Sequence, residues 1–403
     1  MIMNELPKLI SKNEKKIVYV IMDGLGGAPS PETGMTELET AITPFLDTLA
    51  QKGETGLLDP VYPGITPGSG PAHMALFGYN PIENNVGRGL LSALGIDFPL
   101  TPNDLAMRVN FVTLDNDGLI LDRRAGRIPT ETNQKLVKKI KDNLNVPNGF
   151  EFFMETESEH RAMIVLRAEG IDDKITETDP QKTGLPPIEP KGLNPESEKA
   201  AAALRDILGQ IREILKDDHP ANFIVCRGFA KYLNMPSMEK KFGLKAAAIA
   251  QYPMYRGLAK LVGMEVLPVP PTFDDMFMQL KENYSKYDFF YIHFKKTDSY
   301  GEDGNFDAKV KMIETVDQWV EKMVSELNPD VLVITGDHST PATWKAHSFH
   351  PVPVLLTSEH AIADKAEAFN EKECSIGYIG RMEMEKIMVY ALAHAQKLIK
   401  FGA

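Results

Sequence analysis

The amino-acid sequence predicts an α/β fold in which a sheet domain carries an inserted, smaller α+β domain. Three observations support this prediction: a strand leads into a helix near the N-terminus, strands and helices alternate again in the C-terminal third, and the middle mixes short strands with loops. Strands that alternate with helices are typical of a parallel sheet covered by helices. The expected bounds are 1–87 with 239–403 for the sheet domain and 88–238 for the insert.

The N-terminal elements follow from a β-branched run and from helix-capping residues. Segment 17–22 (IVYVIM) is apolar and stops at Asp23 and a glycine-rich turn, which predicts a buried strand. A helix is expected from Pro44, because proline suits the first helical position and Thr43 is a suitable N-cap. Gly53 is a suitable C-terminal stop for this helix.

The C-terminal part repeats the alternation, and the insert does not. Helices are predicted over 272–284, 307–327 and 381–401, and strands over 287–294, 331–339 and 351–357. In the insert, strands are expected at 161–168 and 221–227. A helix over 198–216 should follow the polar, proline-rich connector 178–197.

Composition and charge exclude several classes of partner. The chain has 403 residues, 43% of them hydrophobic, which is enough for a sizeable core. A net charge of −12 argues against nucleic acid and anionic membranes as general partners. Cys226 and Cys374 lie far apart and suit a reducing cytosol, and no apolar run is long enough to span a bilayer. We expect a cytoplasmic protein, whose oligomeric state the sequence leaves open.

Acidic and imidazole side chains follow three of the predicted strands. Asp23 follows the first strand, Asp298 lies shortly after the strand at 287–294, and Asp337 with His338 comes directly after the apolar run VLVITG at the end of the strand predicted over 331–339. One aspartate after a strand is most often a turn former or a helix cap. Three such strand ends in one domain favour a divalent metal site for Mn, Mg, Co or Zn, because ligands bind at the carboxyl ends of parallel strands. His347 and His350 follow within one loop.

Ser69 lies between two glycines, and three interpretations of it remain open. It could cap a helix that begins at Pro71. It could be a hydrolase nucleophile, although its surroundings lack the G-x-S-x-G pattern. It could also be a nucleophile activated by a metal ion, since neutral serine is a poor nucleophile and glycine neighbours let a metal and a phosphate approach closely. The metal candidates favour the third interpretation.

Basic residues are clustered in the insert although the chain is acidic. Arg123 lies in the segment DRRAGR, Arg161 in EHRAMIVLR and Arg227 in CRGFAK, and Arg256 falls on a later predicted helix. Guanidinium groups bind phosphate and carboxylate in a bidentate manner, which predicts an anionic small-molecule substrate. Ordinary surface ion pairing is the alternative for about half of these residues.

Longer motifs resemble one enzyme family nearly from end to end. They include MDGLGG, TPFLDTLAQKGETG, DRRAGRI, EHRAMIVL, ITETDP, HFKKTD, TGDHSTP and HSFHPVP. With these motifs the chain resembles the archaeal-type, cofactor-independent phosphoglycerate mutases of the alkaline phosphatase superfamily. The resemblance implies an alkaline-phosphatase-like sheet domain and the interconversion of 3-phosphoglycerate and 2-phosphoglycerate in glycolysis and gluconeogenesis. It also implies two divalent metal ions and no requirement for bisphosphoglycerate.

The resemblance also implies roles for individual residues. The ligands of one metal ion are matched by Asp23, Ser69, Asp337 and His338, and two ligands of the other by Asp298 and His347. Ser69 matches the residue that becomes phosphoserine. The positions of substrate-binding basic residues are matched by Arg123, Arg161, Arg227 and Arg256.

Two positions depart from the family pattern. Gly70 follows the serine where the family has an acidic residue, and Glu302 stands where the family pattern D-x-x-G-H-D has histidine. We expect Glu302 to be a ligand of the second metal ion and to favour Mn²⁺ or Mg²⁺, with His350 filling this place as the alternative.

Alternative functions follow from the same superfamily. A metal-dependent phosphatase or related phosphotransferase would use the same sheet and the same serine. A relative resembling homoserine kinase would need a nucleotide, and the sequence has no P-loop. A non-catalytic protein stabilised by metal is the remaining alternative, suggested by Gly70 and Glu302.

Overall fold

A computed structural model describes residues 5–84, 86–233 and 235–402. It divides the chain into two compact units, the first formed by 1–85 with 235–403 and the second by 86–234. The first, here called the sheet unit, contains an eight-stranded sheet with helices, and the second, the inserted unit, contains a five-stranded sheet with helices. The α/β class predicted from the sequence is therefore confirmed.

The elements are numbered in chain order within the described ranges. The strands are β1 Ile17–Met22, β2 Glu54–Asp59, β3 Asp104–Leu114, β4 Ile120–Asp122, β5 Glu151–Ser158, β6 Arg161–Arg167, β7 Phe223–Lys231, β8 Ala246–Ala250, β9 Glu265–Val266, β10 Phe289–Phe294, β11 Val331–Thr335, β12 Val352–Ser358 and β13 Gly380–Glu383. The α-helices are α1 Glu37–Thr40, α2 Pro44–Ala50, α3 Ser69–Leu76, α4 Arg88–Gly95, α5 Thr130–Asn143, α6 Pro195–Leu215, α7 Met238–Phe242, α8 Pro253–Leu261, α9 Phe273–Asn283, α10 Lys296–Asp303, α11 Phe306–Leu327, α12 Glu371–Cys374 and α13 Ile387–His394. None of the helices in these ranges is both long enough and apolar enough to cross a membrane.

The sheet of the first unit is mixed, whereas the sequence pattern predicted a parallel sheet. Its strand order is β13-β2-β12-β11-β1-β10-β8-β9, and β12 runs antiparallel to both of its neighbours. A parallel return needs a crossover, usually a helix. The segment 336–351 between β11 and β12 forms no helix, so the chain returns beside β11 in the opposite direction.

The register of the central strands brings three strand ends together. Strand β1 pairs in parallel with β10 on one side and with β11 on the other. Met22 lies opposite Phe294, and Ile21 lies opposite Thr335, so the three strands end at the same edge. These strands are fully buried, as expected for a sheet with helices on both faces. The residues that directly follow β1, β10 and β11 therefore lie at the same edge of the sheet.

Helix α2 forms where it was predicted, but it is capped differently. The Thr43 side chain makes no capping hydrogen bond. Instead, the carboxylate of Asp317, from α11, accepts a hydrogen bond from the backbone N–H of Leu46 at 2.7 Å. Gly53 does not act as a left-handed stop. It allows close packing, because a Cβ atom there would lie 2.6 Å from the carbonyl oxygen of Leu356.

The predicted closing helix over 381–401 is wrong at both ends, since only Ile387–His394 is α-helical. Strand β13 occupies its start and pairs in parallel with β2, and the helix α13 begins only after a 3₁₀ turn. Arg381 binds Asp59 of β2 through two hydrogen bonds of 2.8 Å. Met382 and Met384 alternate with charged residues, which is the period of a strand and was available in the sequence.

The inserted unit is an antiparallel sheet with helices. Strand β3 lies between β6 and β7, with β4 and β5 completing the sheet. The strands predicted at 161–168 and 221–227 are confirmed as β6 and β7, and the helix predicted at 198–216 is confirmed as α6. Asn194 caps α6 through a reciprocal capping box with Ser197.

Candidate active site

The convergent strand ends place four buried polar residues together. Asp23 follows β1, Asp337 and His338 follow β11, and Asp298 lies in the first turn of α10 after β10. Asp298 is 1% exposed, and the other three are fully buried. Burying several carboxylates together is unfavourable unless cations or hydrogen bonds compensate for them. Their convergence therefore indicates a functional site.

The first group of possible metal ligands surrounds the Nε2 atom of His338. This atom lies 3.4 Å from Asp23 Oδ1, 3.2 Å from Asp337 Oδ2 and 3.2 Å from the Ser69 hydroxyl. The ligand atoms of Asp23, Asp337 and His338 all lie within 4.8 Å of one another. The structure thus brings together the four residues that were predicted as ligands of one metal ion.

The second group consists of Asp298, His338 and His347, whose ligand atoms also lie within 4.8 Å of one another. Nε2 of His347 lies 3.6 Å from Asp298 Oδ1, and the rings of His338 and His347 are stacked at 3.7 Å. Nδ1 of His347 lies 2.9 Å from the Pro67 carbonyl oxygen, to which it donates a hydrogen bond. Because Nδ1 carries the proton, the Nε2 lone pair is directed towards Asp298 and is free to bind a cation.

Glu302 and His350 lie in different surroundings. Oε1 of Glu302 lies 3.8 Å from Nε2 of His347, and its side chain is 54% exposed. It belongs to helix α10. Nδ1 of His350 lies 2.9 Å from the Ser348 hydroxyl, and its ring stacks on Phe349. Neither residue belongs to the metal-type clusters found within the described ranges.

Charges within the site shift the pKa values of its acidic and basic groups. Burial favours a raised pKa for Asp23, but Lys295 and His293 hold that pKa well below its usual value. Burial and the neighbouring Asp23 carboxylate raise the pKa of Asp337 well above its usual value. Nζ of Lys295 lies 2.9 Å from Asp23 Oδ2 and 2.5 Å from Asp298 Oδ2. Burial favours a lower pKa for this ammonium group, but the two carboxylates outweigh burial and raise its pKa. Lys295 therefore supplies one positive charge to a site with three carboxylates.

Burial favours the neutral form of the histidines in the site. Burial lowers the pKa of His338 well below its usual value and lowers that of His73 to about 4. Nδ1 of His73 lies 3.0 Å from the Ser69 carbonyl oxygen and 3.1 Å from Asp337 Oδ2. His293 belongs to β10, and its Nε2 lies 3.5 Å from Asp23 Oδ2. Neutral imidazole is the form that binds metal ions.

The sequence predictions did not include His73, His293, Lys295 or Thr340, all of which contact the site. Two of them carried a usable signal. His73 follows Ser69 by four residues on a helix, which places both on one face, and Lys295 directly follows a predicted strand. His293 is within a buried strand, where its contact with Asp23 depends on the neighbouring strand.

The chemistry of the donor set fits a divalent cation. Within the described part of the chain, neither carboxylate oxygen of Asp23 accepts a hydrogen bond of ordinary geometry, nor does Asp337 Oδ2. Lys295 Nζ forms an ion pair with Asp23 Oδ2 at 2.9 Å, whereas Asp23 Oδ1 has no donor among the described residues. A buried carboxylate oxygen without a donor is rare unless an ion or water binds it. Carboxylates with imidazole suit Mn²⁺, Co²⁺ or Zn²⁺, and carboxylates alone suit Mg²⁺. Gly24 lets the chain after β1 approach Thr340 closely, because a Cβ atom at position 24 would lie 2.6 Å from Thr340 Oγ1.

Ser69 is the first residue of α3, and Gly68 is the N-cap. The interpretation that Ser69 caps a helix beginning at Pro71 is therefore wrong. Its hydroxyl is half-buried and faces Nε2 of His338. A helix N-terminus carries partial positive charge, which favours an attached phosphate. Gly70, the second helical residue, is buried.

Three of the predicted arginines lie in the inserted unit beside acidic side chains. Arg123 donates two hydrogen bonds to the buried Asp179, at 3.0 and 2.7 Å, and Arg227 lies 3.5 Å from the same carboxylate. Arg161 donates to the Ser158 hydroxyl at 3.1 Å. The three arginine side chains are between 20% and 33% exposed. Half-buried guanidinium groups with fixed orientation can bind an anion more strongly than mobile surface groups.

The sheet register adds Arg108 to this face of the inserted unit. Arg108 on β3 lies opposite Arg227 on β7, and the neighbouring Asn110 lies opposite Arg161 on β6. Directly opposed residues on paired strands point to the same face. Arg256 lies in the sheet unit, on α8, where its Nη1 donates to the carbonyl oxygens of Ala250 and Leu267.

Comparisons with known proteins agree with this arrangement. The sequence model of the 2,3-bisphosphoglycerate-independent phosphoglycerate mutases matches residues 50–222. A relative from Thermus thermophilus, named "Probable 2,3-bisphosphoglycerate-independent phosphoglycerate mutase", is 50% identical over 401 residues, covering 99% of this chain and 98% of the relative. The chain belongs to the 2,3-bisphosphoglycerate-independent phosphoglycerate mutase family. A mutase of the same name from Thermotoga maritima is 48% identical, covering 98% of each chain.

Two solved structures agree with the assignment to this mutase family. A protein from Pyrococcus horikoshii is 30% identical and superposes with a TM-score of 0.83, covering 97% of this chain and all of the other. A cofactor-independent phosphoglycerate mutase from Thermoplasma acidophilum is 29% identical, with a TM-score of 0.75, covering 94% of this chain and all of the other. The family resemblance predicted from the sequence is confirmed.

Proposed function

We propose that this chain interconverts 3-phosphoglycerate and 2-phosphoglycerate through a phosphoserine on Ser69, at a site that holds two divalent metal ions. The observation that carries the proposal is the position of the Ser69 hydroxyl. It lies at the N-terminus of α3 and 3.2 Å from Nε2 of His338, beside two buried carboxylates. Membership of the mutase family supports the substrate and the independence from 2,3-bisphosphoglycerate.

The proposed reaction has two in-line displacements. In the first, Ser69 Oγ loses its proton and bonds to phosphorus, the bond to the 3-oxygen of glycerate breaks, and that oxygen takes a proton. In the second, the 2-hydroxyl of the same glycerate loses its proton and bonds to phosphorus, and Ser69 is released and protonated. Metal ions in this position would stabilise the serine oxygen and the charge on the phosphoryl oxygens.

Two neighbouring ligand sets would hold the metal ions. The first is formed by Asp23, Ser69, Asp337 and His338, and the second by Asp298, His347 and Glu302. His338 and Asp298 are both near each group, so the two ions would be close neighbours. Glu302 adds an oxygen ligand in place of imidazole, and oxygen ligands favour Mn²⁺ or Mg²⁺ over softer ions.

The arginine residues would bind the anionic groups of phosphoglycerate. Arg123, Arg161 and Arg227 are held in place by hydrogen bonds or ion pairs within the inserted unit, and Arg256 is held by two carbonyl oxygens in the sheet unit. Oriented guanidinium groups bind phosphate and carboxylate without a large loss of side-chain freedom. The reaction would belong to glycolysis and gluconeogenesis, in the cytoplasm.

A phosphatase using the same serine is the second candidate, and one assay separates the two. The protein is freed of metal with a chelator, supplied in turn with Mn²⁺, Mg²⁺, Co²⁺ and Zn²⁺, and mixed with 3-phosphoglycerate without 2,3-bisphosphoglycerate. Phosphorus NMR should then show 2-phosphoglycerate accumulating to equilibrium. Faster release of inorganic phosphate would favour the phosphatase, and absence of turnover with all four metals would contradict both.

We predict that Glu302→Ala lowers the number of bound metal ions from two towards one and removes most of the activity. The reason is that Glu302 Oε1 lies 3.8 Å from Nε2 of His347, a member of the second group. His350→Ala should leave metal content and activity close to normal, because Nδ1 of His350 is bonded to Ser348. Metal content by atomic emission and turnover are measured for both variants.

The matched pair of variants can contradict the assignment of Glu302. If Glu302→Ala retains two metal ions and full activity while His350→Ala loses a metal ion and activity, the ligand is His350 and not Glu302. Both variants should keep the wild-type circular dichroism spectrum, since Glu302 is half exposed and His350 lies on a surface loop.

A further inference from the structure

Thr340 contacts both candidate metal groups although no ligand role is assigned to it. It lies in the loop after β11 and is fully buried. Its hydroxyl oxygen is 2.7 Å from Asp298 Oδ1, in the second group, and 3.0 Å from Nδ1 of His338, in the first. A single side chain therefore joins a carboxylate of the second group to the imidazole that both groups share.

The direction of these two hydrogen bonds follows from the chemistry of the groups. An ionised carboxylate only accepts hydrogen bonds, so the Thr340 hydroxyl donates its one proton to Asp298. The same oxygen must then accept a hydrogen bond from Nδ1–H of His338. This fixes the tautomer of His338 with its proton on Nδ1. The lone pair of Nε2 is left pointing at Ser69, Asp23 and Asp337.

The backbone holds Thr340 in this position. Its N–H donates to the carbonyl oxygens of Gly24 and Gly26, at 3.3 and 3.0 Å. Its carbonyl oxygen accepts a hydrogen bond of 2.8 Å from the fully buried ammonium group of Lys309. A Cβ atom at Gly301 would lie 2.2 Å from this carbonyl oxygen, so glycine is required for the approach. These contacts fix the main chain of Thr340, from which the hydroxyl group extends towards Asp298 and His338.

We propose that Thr340 is a positioning residue that sets the tautomer of His338, orients Asp298 and so couples the two metal-binding groups. The inference rests on the proposed two-metal function. Residues that orient metal ligands change metal affinity by about 10- to 100-fold when they are removed. Thr340→Val keeps the shape of the side chain and removes both hydrogen bonds. Thr340→Ser keeps the hydroxyl and is the conservative rescue.

The test uses the full chain freed of metal and titrated with Mn²⁺ in a calorimeter. Wild-type protein and Thr340→Ser should bind two ions with similar affinities, and Thr340→Val should bind both about 10- to 100-fold more weakly. Long-range proton–nitrogen NMR of the metal-free proteins should show His338 protonated on Nδ1 in the wild type and in Thr340→Ser. The same measurement should show a mixture of His338 tautomers in Thr340→Val. Thr156→Val, which removes a part-buried hydroxyl bonded to Asn133 in the inserted unit, is the control and should bind as wild type.

Each outcome decides the role of Thr340. If Thr340→Val binds both ions with wild-type affinity and keeps the His338 tautomer, Thr340 is not a positioning residue. The proposed metal-dependent function would remain in place. Failure of the wild-type protein to bind Mn²⁺, Mg²⁺, Co²⁺ or Zn²⁺ would overturn the proposed function and this inference with it. If the valine variant does not fold, Thr340→Ala removes the same hydroxyl and is measured in its place.

Discussion

Ser69→Ala should abolish the isomerisation of phosphoglycerate while leaving the fold intact. Alanine removes the oxygen that would accept the phosphoryl group and also one proposed metal ligand. Groups that act together in one step fail together, so the rate should fall by several orders of magnitude. The hydroxyl is half-buried and lies 3.2 Å from Nε2 of His338, so its loss should cost little stability.

The measurement is turnover of 3-phosphoglycerate at saturating Mn²⁺, with unfolding followed by circular dichroism. Ser325→Ala is the matched control, since Ser325 is exposed on α11 and bonds only within its own helix turn in the described structure. It should keep full activity. Isomerisation by Ser69→Ala at a rate near that of the wild type would exclude a phosphoserine at this position.

Asp337→Asn should remove activity and at the same time stabilise the metal-free protein. The pKa of Asp337 is raised well above its usual value, so holding its ionised form in the fold at neutral pH costs stability. Asparagine has the hydrogen-bonding groups of the protonated carboxyl and no charge. Its oxygen can accept from the Gly24 N–H, and its amide can donate to Nε2 of His338. The metal-free variant should therefore unfold at a higher urea concentration than the metal-free wild type.

Addition of Mn²⁺ should reverse the order of stability of the two proteins. Wild-type protein should gain stability on addition of Mn²⁺ because the ion binds only the folded state, and Asp337→Asn should gain much less. Urea unfolding with and without Mn²⁺ measures both effects, and Asp117→Asn, at an exposed turn of the inserted unit, controls for removal of charge. A metal-free Asp337→Asn protein that is less stable than the wild type would contradict the electrostatic explanation.

The position of the site could be predicted from the sequence because it depends on strand ends. Buried strands are recognised by their apolar, β-branched residues, and parallel neighbours end at one edge, so Asp23, Asp298 and Asp337 were expected together. The order of strands was not needed for this conclusion. The seven predicted ligand residues all lie in the sheet unit, and those of the first group converge on Nε2 of His338.

Features that depend on contacts between distant segments could not be predicted. Asp317 replaces Thr43 as the cap of α2 only because α11 packs beside that helix. The contact of Thr340 with Asp298 joins two segments that are 42 positions apart. The antiparallel direction of β12 follows from the absence of a helix in 336–351, a segment whose length alone would have permitted a crossover.

The central claim is that the phosphoryl group passes through a covalent bond to Ser69 on its way between the two hydroxyls of glycerate. The most direct test is the stereochemistry at phosphorus, with 3-phosphoglycerate whose phosphoryl group is made chiral by three oxygen isotopes. Each in-line displacement inverts the configuration. Two displacements through Ser69 predict that 2-phosphoglycerate forms with retention of configuration. Inversion would show a single direct transfer and would contradict the phosphoserine mechanism.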